Sequence, residues 1–463
     1  MLQLLMALLM ISAQAGASAP AVRSRPPDIA FRVQMIDPGF SESVAVADFN
    51  KDGRLDILSA EYWYEAPNWT KHKIRDIAFN GSYIDNFSDL PVDVDGDGYT
   101  DIVQIAYFAR RIAWLKNPGK GSGPWIETEI DAVGPTEFAF LVDLNNDGRA
   151  AEILPQFTGA AKAPLTWYEL VNGKWQKHVV SSQSYGHGIG AGDVNGDKRN
   201  DILTPAGWLE APADVRAPGE WVLHPTSWSG VSLPKPGDGA PPAQGEMRRL
   251  TREQAIKEGF VVETPTGPGK FDLRNGALMT PDGSVVLVPL APAGAQPAPS
   301  LSRPAEYGFM FVLDVNGDGK SDVVTTMAHS YGVLWFEQQD SGGWVARPID
   351  ATWANAHSTA VADLNGDGRL DLVAAKRYFG RNGTDPAERE PMGIYWYEFR
   401  PGLKDAVEWI RHIVDYGGRA GGGLQMVVED IDGDGDRDIV TPGKTGLFLS
   451  ENLTRMPSRP PSR

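Results

Sequence analysis

Asp48-Phe49-Asn50-Lys51-Asp52-Gly53-Arg54-Leu55-Asp56 is the stretch that decides the fold. Oxygen-bearing side chains stand at its positions 1, 3, 5 and 9, with glycine at position 6. Alternate residues of a tight loop turn their oxygens toward one centre, and the glycine supplies the backbone conformation of a sharp turn. An all-oxygen cage of this kind suits a hard cation such as Ca2+. An EF-hand is excluded, because it needs flanking helices and a glutamate at position 12. Ser59 stands there, inside a β-like run.

The motif occurs seven times. Asp48, Asn50, Asp52 and Asp56 are followed by Asp93, Asp95, Asp97 and Asp101. The third copy has Asp143, Asn145 and Asp147, but Ala151 at the ninth position with Glu152 next. The fourth has Asp193, Asn195, Asp197 and Asp201, with Lys198 in place of glycine. Asp314, Asn316, Asp318 and Asp322 form the fifth, Asp363, Asn365, Asp367 and Asp371 the sixth, and Asp430, Asp432, Asp434 and Asp438 the seventh. These residues are the candidate ligands of five to seven structural Ca2+ sites, the third and fourth loops being the two that depart from the pattern. Closed oxygen cages staple strands together rather than catalyse.

Successive loops start about 50 residues apart apart from one long gap, a period that marks a repeat architecture. Each loop lies between two short apolar runs, such as Val44–Ala47 and Ile57–Ala60. An aromatic strand follows: Trp63-Tyr64-Glu65, Trp114-Leu115-Lys116, Trp167-Tyr168-Glu169, Trp208-Leu209-Glu210, Trp335-Phe336-Glu337, Trp396-Tyr397-Glu398 and the weaker Leu447-Phe448-Leu449. A fourth strand then opens with Trp69, Trp125, Trp175, Trp221, Trp344 or Trp409. Four short strands per unit predict a β-propeller blade. The seventh unit lacks a fourth strand, whereas Phe31–Asp37 matches that pattern ahead of the first loop. The expectation is an all-β, seven-bladed propeller of four-stranded blades. Its N-terminal strand closes the last blade, and a small subdomain is inserted between blades four and five.

These residues resemble the FG-GAP/VCBS repeat, the calcium-loop blade also found at the N-terminus of integrin α chains. The resemblance runs from about Phe31 to Asn452, interrupted by one insertion, and implies a calcium-binding propeller. It leaves function open, since such propellers include binding proteins and enzymes alike.

Composition narrows the classes. The 463 residues carry a formal net charge of -17, which argues against nucleic acid and anionic membranes as partners. There is no cysteine, so disulfides, thiol catalysis and Cys-zinc sites are excluded. Residues 1–17 read as a signal peptide, an apolar run too short to span a bilayer followed by Ala15-Gly16-Ala17. A secreted, periplasmic or cell-surface location is expected, with no transmembrane segment. The division is 31–225 for blades one to four, 226–305 for an insertion or lid, 306–452 for blades five to seven, and 453–463 for a disordered tail. Within the insertion, Thr251–Gln254 reads as a capping box and 271–290 as a hairpin.

The loops also orient the ring. If they mark the bottom, the connections from strand two to three and from each blade to the next lie on top. The insertion and the excursion 378–393 rise from that face. Six positions before each loop aspartate stand Glu42, Phe87, Glu137, His187, Gly308, His357 and Leu424. Residues following the second strands include Glu61, His329, Tyr331, Lys376, Arg377 and Lys444, and Gln425 lies beside Leu424. Of seven histidines, His72, His178, His224 and His412 hold repeat positions in outer strands and read as structural. His187, His329 and His357 gather near the axis and, with Glu42 or Glu137, could hold Zn2+ or Mn2+. The candidate catalytic set is His187, His329, His357, Tyr331, Lys376 and Arg377. The candidate ligand-binding set is Glu42, Glu61, Glu137, Gln425 and Lys444.

Two functions fit. One is a secreted, calcium-stabilised propeller that binds a glycan or an extracellular protein on its top face. The alternative is a carbohydrate lyase or dehydratase acting by elimination there, an analogy with the polysaccharide lyases and aldos-2-ulose dehydratases that this kind of propeller resembles.

Overall fold

A computed structural model describes residues 28–120, 123–157, 163–226, 228, 247–257, 261–263, 271–273, 278–279, 285–289, 305–401 and 407–455. Seven antiparallel four-stranded sheets form the blades. Blade one consists of Ala45–Ala47, Asp56–Ser59, Tyr62–Glu65 and Thr70–Lys73, and the others repeat this order. Phe31–Asp37 pairs antiparallel with Leu447–Asn452, from Phe31 opposite Asn452 to Asp37 opposite Leu447. The expected closure is therefore present: the N-terminal strand is the fourth strand of the last blade's sheet, and the first blade is the next sheet along the chain.

The acidic loops are shaped by their own backbone. The position 1 carboxylate accepts the N–H of position 6, as from Gly53 to Asp48 at 2.9 Å and Gly435 to Asp430 at 2.9 Å. Lys198 does the same to Asp193 at 2.8 Å, with φ at 68°. The fourth loop thus keeps its turn without glycine. Position 4 is also left-handed, with Lys51 and Asn146 both at φ 60°.

The ninth-position aspartate is a clamp. Asp56 is buried and accepts N–H from Phe49 at 3.1 Å and from Ala66 at 2.9 Å, tying the loop's start to the end of the third strand. In the third loop Glu152 takes this place. It pairs with Val142 as Asp56 pairs with Ala47, and accepts the Leu144 N–H at 2.9 Å. The departure at Ala151 is therefore a one-residue lengthening, with the longer side chain reaching back.

The outer-strand histidines stack on the tryptophans they face across the sheet. Trp63 and His72 lie 4.3 Å apart between ring centroids, Trp167 and His178 4.2 Å, Trp208 and His224 4.0 Å, and Trp396 and His412 3.9 Å. In three of these four blades the glutamate two residues past the tryptophan hydrogen-bonds the imidazole: His72 with Glu65 at 2.9 Å, His224 with Glu210 at 2.7 Å and His412 with Glu398 at 3.3 Å. In blade seven the equivalent stretch is Leu449-Ser450-Glu451, two residues later than the sequence reading, because Leu449 faces Val440 as Trp63 faces Leu58. Arg32 pairs with Glu451 there. Between the blades, aliphatic residues from adjacent sheets make separate cores, such as Ile57, Val44, Ile431 and Val440 between blades seven and one.

In the 226–305 region, Thr251 and Gln254 cap the helix Arg252–Lys257 reciprocally, Thr251 N to Gln254 Oε1 at 2.9 Å and Gln254 N to Thr251 Oγ1 at 3.3 Å. Leu278–Met279 and Val285–Pro289 pair as a hairpin. Phe271–Leu273 instead pairs back with Val261–Glu263, which shortens the predicted hairpin. Residues 1–17, read from the sequence as a signal peptide, and residues 456–463 lie outside the described residues. Residues 453–455 are held, with Leu453 N on Ala30 O at 2.9 Å and Arg455 N on Asp436 at 2.7 Å.

Candidate metal centre on the propeller axis

Four buried side chains converge on the axis from different blades: Glu137, His187, His329 and His357, each offering a ligand atom within 4.8 Å of the others. Two of them are placed by β-bulges. The register slips between Thr136 and Phe138 and again between Ala356 and Ser358, so Glu137 and His357 are the extra residues. A bulge re-aims one side chain by leaving that residue unpaired and bending the strand locally. His187 sits between Gly186 and Gly188 in the connection into blade four, and His329 lies in the turn before Tyr331–Gln338.

The three imidazoles stand nearly perpendicular to one another, at 81°, 82° and 82°. His187 Nε2 is 3.2 Å from His329 Nε2 and 3.1 Å from Glu137 Oε2. Glu137 Oε1 is 3.4 Å from His357 Nε2 and 3.8 Å from His329 Nε2. Four ligands about 2.1 Å from a tetrahedral ion stand about 3.4 Å from one another, so the spacing matches.

Hydrogen bonding sets the tautomers. His187 Nδ1 lies 2.6 Å from the Tyr307 carbonyl, and His329 Nδ1 lies 2.6 Å from Asp385 Oδ2. A carbonyl and a carboxylate only accept, so both Nδ1 atoms carry the proton. In the neutral rings the Nε2 atoms are then acceptors, facing each other and a carboxylate. Neither nitrogen of His357 has a hydrogen-bond partner. Burial holds its pKa well below the usual imidazole range, so it stays neutral and available as a ligand. Burial raises the Glu137 carboxyl, but positive charge and N–H donation from the surrounding histidines outweigh it and hold it well below the usual range, so Glu137 is ionised wherever one of the rings carries a second proton. A proton would satisfy one of these contacts; a divalent cation would satisfy them all.

Arg377, also buried, links this group to Glu42, with Nε 3.1 Å from Glu42 Oε2 and Nη1 3.4 Å from Glu137 Oε1. Lys444 Nζ lies 3.9 Å from Glu42 Oε1 and 3.9 Å from the centroid of the Tyr83 ring. Burial lowers the Lys444 ammonium to about 8, against the pull of Glu42. His187, His329, His357, Arg377, Glu42, Glu137 and Lys444 thus belong together. Gln425 crosses the axis below, donating to the Ala139 carbonyl. Tyr331 and Lys376 form a separate set around Glu390, at 3.2 and 3.5 Å. Glu61 accepts the Ile77 N–H at 2.9 Å, which ties its own turn instead.

The excursion 378–393 covers the cluster. Tyr83 OH donates to Gly380 O at 2.6 Å, Ser82 to Asn382 at 2.6 Å, Lys444 to Phe379 O at 2.7 Å and Asn355 Nδ2 to Pro386 O at 2.9 Å. Arg381 grips Glu306 with two bonds of 2.7 and 2.8 Å. Sequence reasoning put this segment on the right face but missed Asp385, Glu388 and Glu390 within it. Their acidity, in the one excursion from a second strand, was the available signal.

The acidic loops divide by their countercharges. Position 7 carries a base facing the position 5 aspartate in five loops: Arg54, Arg149, Arg199, Lys320 and Arg369. In the second loop Lys116, where other blades have glutamate, contacts Asp95 and lies 3.2 Å from Asp97. The seventh has Asp436 at position 7, and among the described residues no basic side chain pairs with Asp430, Asp432 or Asp434. Oxygens of Asp93, Asp95 and Asp101 converge, as do those of Asp430, Asp432 and Asp438. Burial pushes Asp438 up to about 7, and the neighbouring loop carboxylates push it the same way. All-oxygen donors at this spacing fit Ca2+.

These features define a seven-bladed propeller with acidic loops on one face and a histidine cluster under the other. The FG-GAP-like repeat family model matches residues 93–153 and 314–374, each spanning two successive loops. The chain is a seven-bladed β-propeller that carries FG-GAP-like repeats at these two positions. No curated protein matches it. Among solved structures, it is similar to an Agrocybe aegerita lectin that recognises non-reducing terminal N-acetylglucosamine, at 14% identity, 83% of this chain, 80% of that one and a TM-score of 0.41. It is also similar to the V. cholerae biofilm matrix protein Bap1, at 13%, 92%, 92% and 0.39. A Bacillus licheniformis rhamnogalacturonan lyase gives 12%, 93%, 74% and 0.40. No helix among the described residues is long and apolar enough to cross a membrane.

Proposed function

We propose that this FG-GAP propeller is an exported, calcium-stapled protein that takes a sugar on the face opposite its acidic loops and acts there as a metal-dependent lyase or dehydratase. The observation that carries the reading is the facing pair of acceptor nitrogens, His187 Nε2 and His329 Nε2, 3.2 Å apart beside Glu137. Zn2+ or Mn2+ held by the three histidines and Glu137 would polarise a sugar carbonyl or carboxylate oxygen.

The remaining groups suit elimination. A proton must leave the carbon beside that oxygen, and a β-substituent must depart with its bonding pair and take up a proton. Lys444, lowered to about 8, exchanges protons near neutral pH. Arg377, cationic and buried beside Glu137, balances the negative charge that develops on oxygen. Glu42 Oε1 and Arg377 Nη2 are buried without hydrogen-bond partners, leaving an acceptor and a donor for hydroxyl groups. Entry of a sugar requires the 378–393 segment to lift.

A second reading has its own support: all four ligands are protein side chains and all are buried, the arrangement of a structural metal. The face would then bind a glycan or protein without turnover. Metal analysis after mild chelation, joined to incubation with keto-sugars and uronate-containing polymers, tests both. Retained Zn2+ or Mn2+ with new ultraviolet absorbance from an unsaturated product supports the enzyme. Retained metal with no product across these substrates favours the binding protein. Absence of any ion beyond calcium, with glycan binding unchanged in the His187→Ala/His357→Ala variant, removes the axial metal from either account.

A further inference from the structure

We infer that the seating of the 378–393 segment and the loading of the axial centre are one linked equilibrium, with Asp385 as the positioning residue that joins them. The inference rests on the axial metal reading above.

The segment behaves as a strap. It leaves blade six after Arg377 and re-enters at Gly393–Pro401. On the way it touches the connection between blades one and two through Ser82 and Tyr83, blade five through His329 and Asn355, and blade seven through Lys444. Nearly all these anchors are single hydrogen bonds or ion pairs, and most strap residues are at least partly exposed. Such segments open at low free energy. The closed strap also holds Phe379, Asn382 and Ala387 at φ 50°, 58° and 59°. Left-handed backbone at a phenylalanine and an alanine persists only where surrounding contacts hold it.

Among the anchors, only the Asp385–His329 bond reaches a candidate ligand. A carboxylate on the far nitrogen of a metal-binding imidazole fixes the ring's tautomer and makes the near nitrogen a better donor. A cation on the near nitrogen in turn makes the far N–H more acidic and strengthens its bond to the carboxylate. Each event therefore favours the other by the same factor. An empty centre loosens the strap, and a loaded one closes it.

Hydrogen exchange of peptides spanning 378–393, with and without Zn2+ alone, reads strap closure on the full chain without reference to activity. Zn2+ affinity follows from chelator competition. In the wild type, Zn2+ is expected to slow strap exchange at least several-fold. Asp385→Asn should bind Zn2+ about 10–100-fold more weakly, the usual effect of removing such a partner. Its strap should also respond less at saturating Zn2+. Ser82→Ala, which cuts a strap anchor that touches neither Asp385 nor a candidate ligand, should weaken Zn2+ binding too, because linkage is reciprocal. Zn2+ uptake with unchanged strap exchange, or wild-type affinity in Asp385→Asn, overturns the linkage and leaves the axial centre standing. A wild-type chain that takes up no Zn2+ overturns both.

Discussion

His187 and His329 meet Nε2 to Nε2 at 3.2 Å on the propeller axis although 142 residues separate them in the chain. The Tyr307 carbonyl and Asp385 hold their far nitrogens protonated, so in the neutral rings two lone pairs face each other and a shared proton or a cation is needed to join them. The first prediction follows. Zn2+ at 100 times its Kd should stabilise the folded chain by about 2.7 kcal/mol, the mass-action gain for one site. His187→Ala should abolish that gain. Denaturant unfolding with and without Zn2+ measures it, and an equal gain in the variant would locate the ion elsewhere.

The acidic loops should not be equal. The seventh has four candidate ligand aspartates plus Asp436 and, among the described residues, no basic side chain in ion-pair contact with its positions 1, 3 and 5, Arg32 acting on Asp432 only from further off, whereas Lys116 already occupies Asp95 and Asp97 in the second. Calcium should therefore bind most tightly in the blade that Phe31–Asp37 closes. Asp432→Ala is expected to remove the highest-affinity site in a calcium titration, and Asp95→Ala to leave it intact. Excess chelator should lower the melting temperature sharply in the wild type, and an unchanged value would contradict the staple role.

Much of this was legible because a repeat prints the same constraint seven times. Position 6 glycine, the Trp-x-Glu strands and the missing fourth strand of blade seven gave the ring and its closure. The same periodicity located Glu42, Glu137, His187 and His357, six residues before their loops. It could not show that Glu137 and His357 are bulged, since a bulge is a property of pairing. Nor could it reveal Asp385, which belongs to no repeat. Tyr331 and Lys376 were grouped with the cluster on sequence position alone. Successive side chains on a strand point to opposite faces, so Lys376 turns to Glu390 while Arg377 turns to the axis.

Lys444 gives a prediction in pH. Its folded value of about 8 lies below the ordinary lysine value, so the unfolded chain binds the proton more tightly. The ammonium therefore destabilises the fold below pH 8, and this effect fades as pH rises from there toward the ordinary lysine value. Lys444→Met removes the buried charge. The variant's stability relative to wild type should be greatest near neutral pH and decline as pH rises above 8. Paired unfolding curves at pH 7 and pH 9.5 check the sign, and a relative stability that rises with pH would contradict it.

Gly188 offers a test of how the backbone serves the centre. Its φ is 131°, and a Cβ there would lie 2.9 Å from Tyr307 Cβ and 3.3 Å from Pro205. Tyr307 supplies the carbonyl that orients His187. Gly188→Ala should thus lower stability by about 1–3 kcal/mol through backbone strain. It should also weaken Zn2+ binding, because the push on Tyr307 disturbs the partner of Nδ1. Gly186→Ala is the control: φ is 102°, but a Cβ there meets nothing within 4 Å. It should share the loss of stability and spare most of the Zn2+ affinity. Chelator competition on both variants separates strain in the loop from displacement of Tyr307. Equal losses of affinity would mean that the turn itself, and not the carbonyl contact, positions His187.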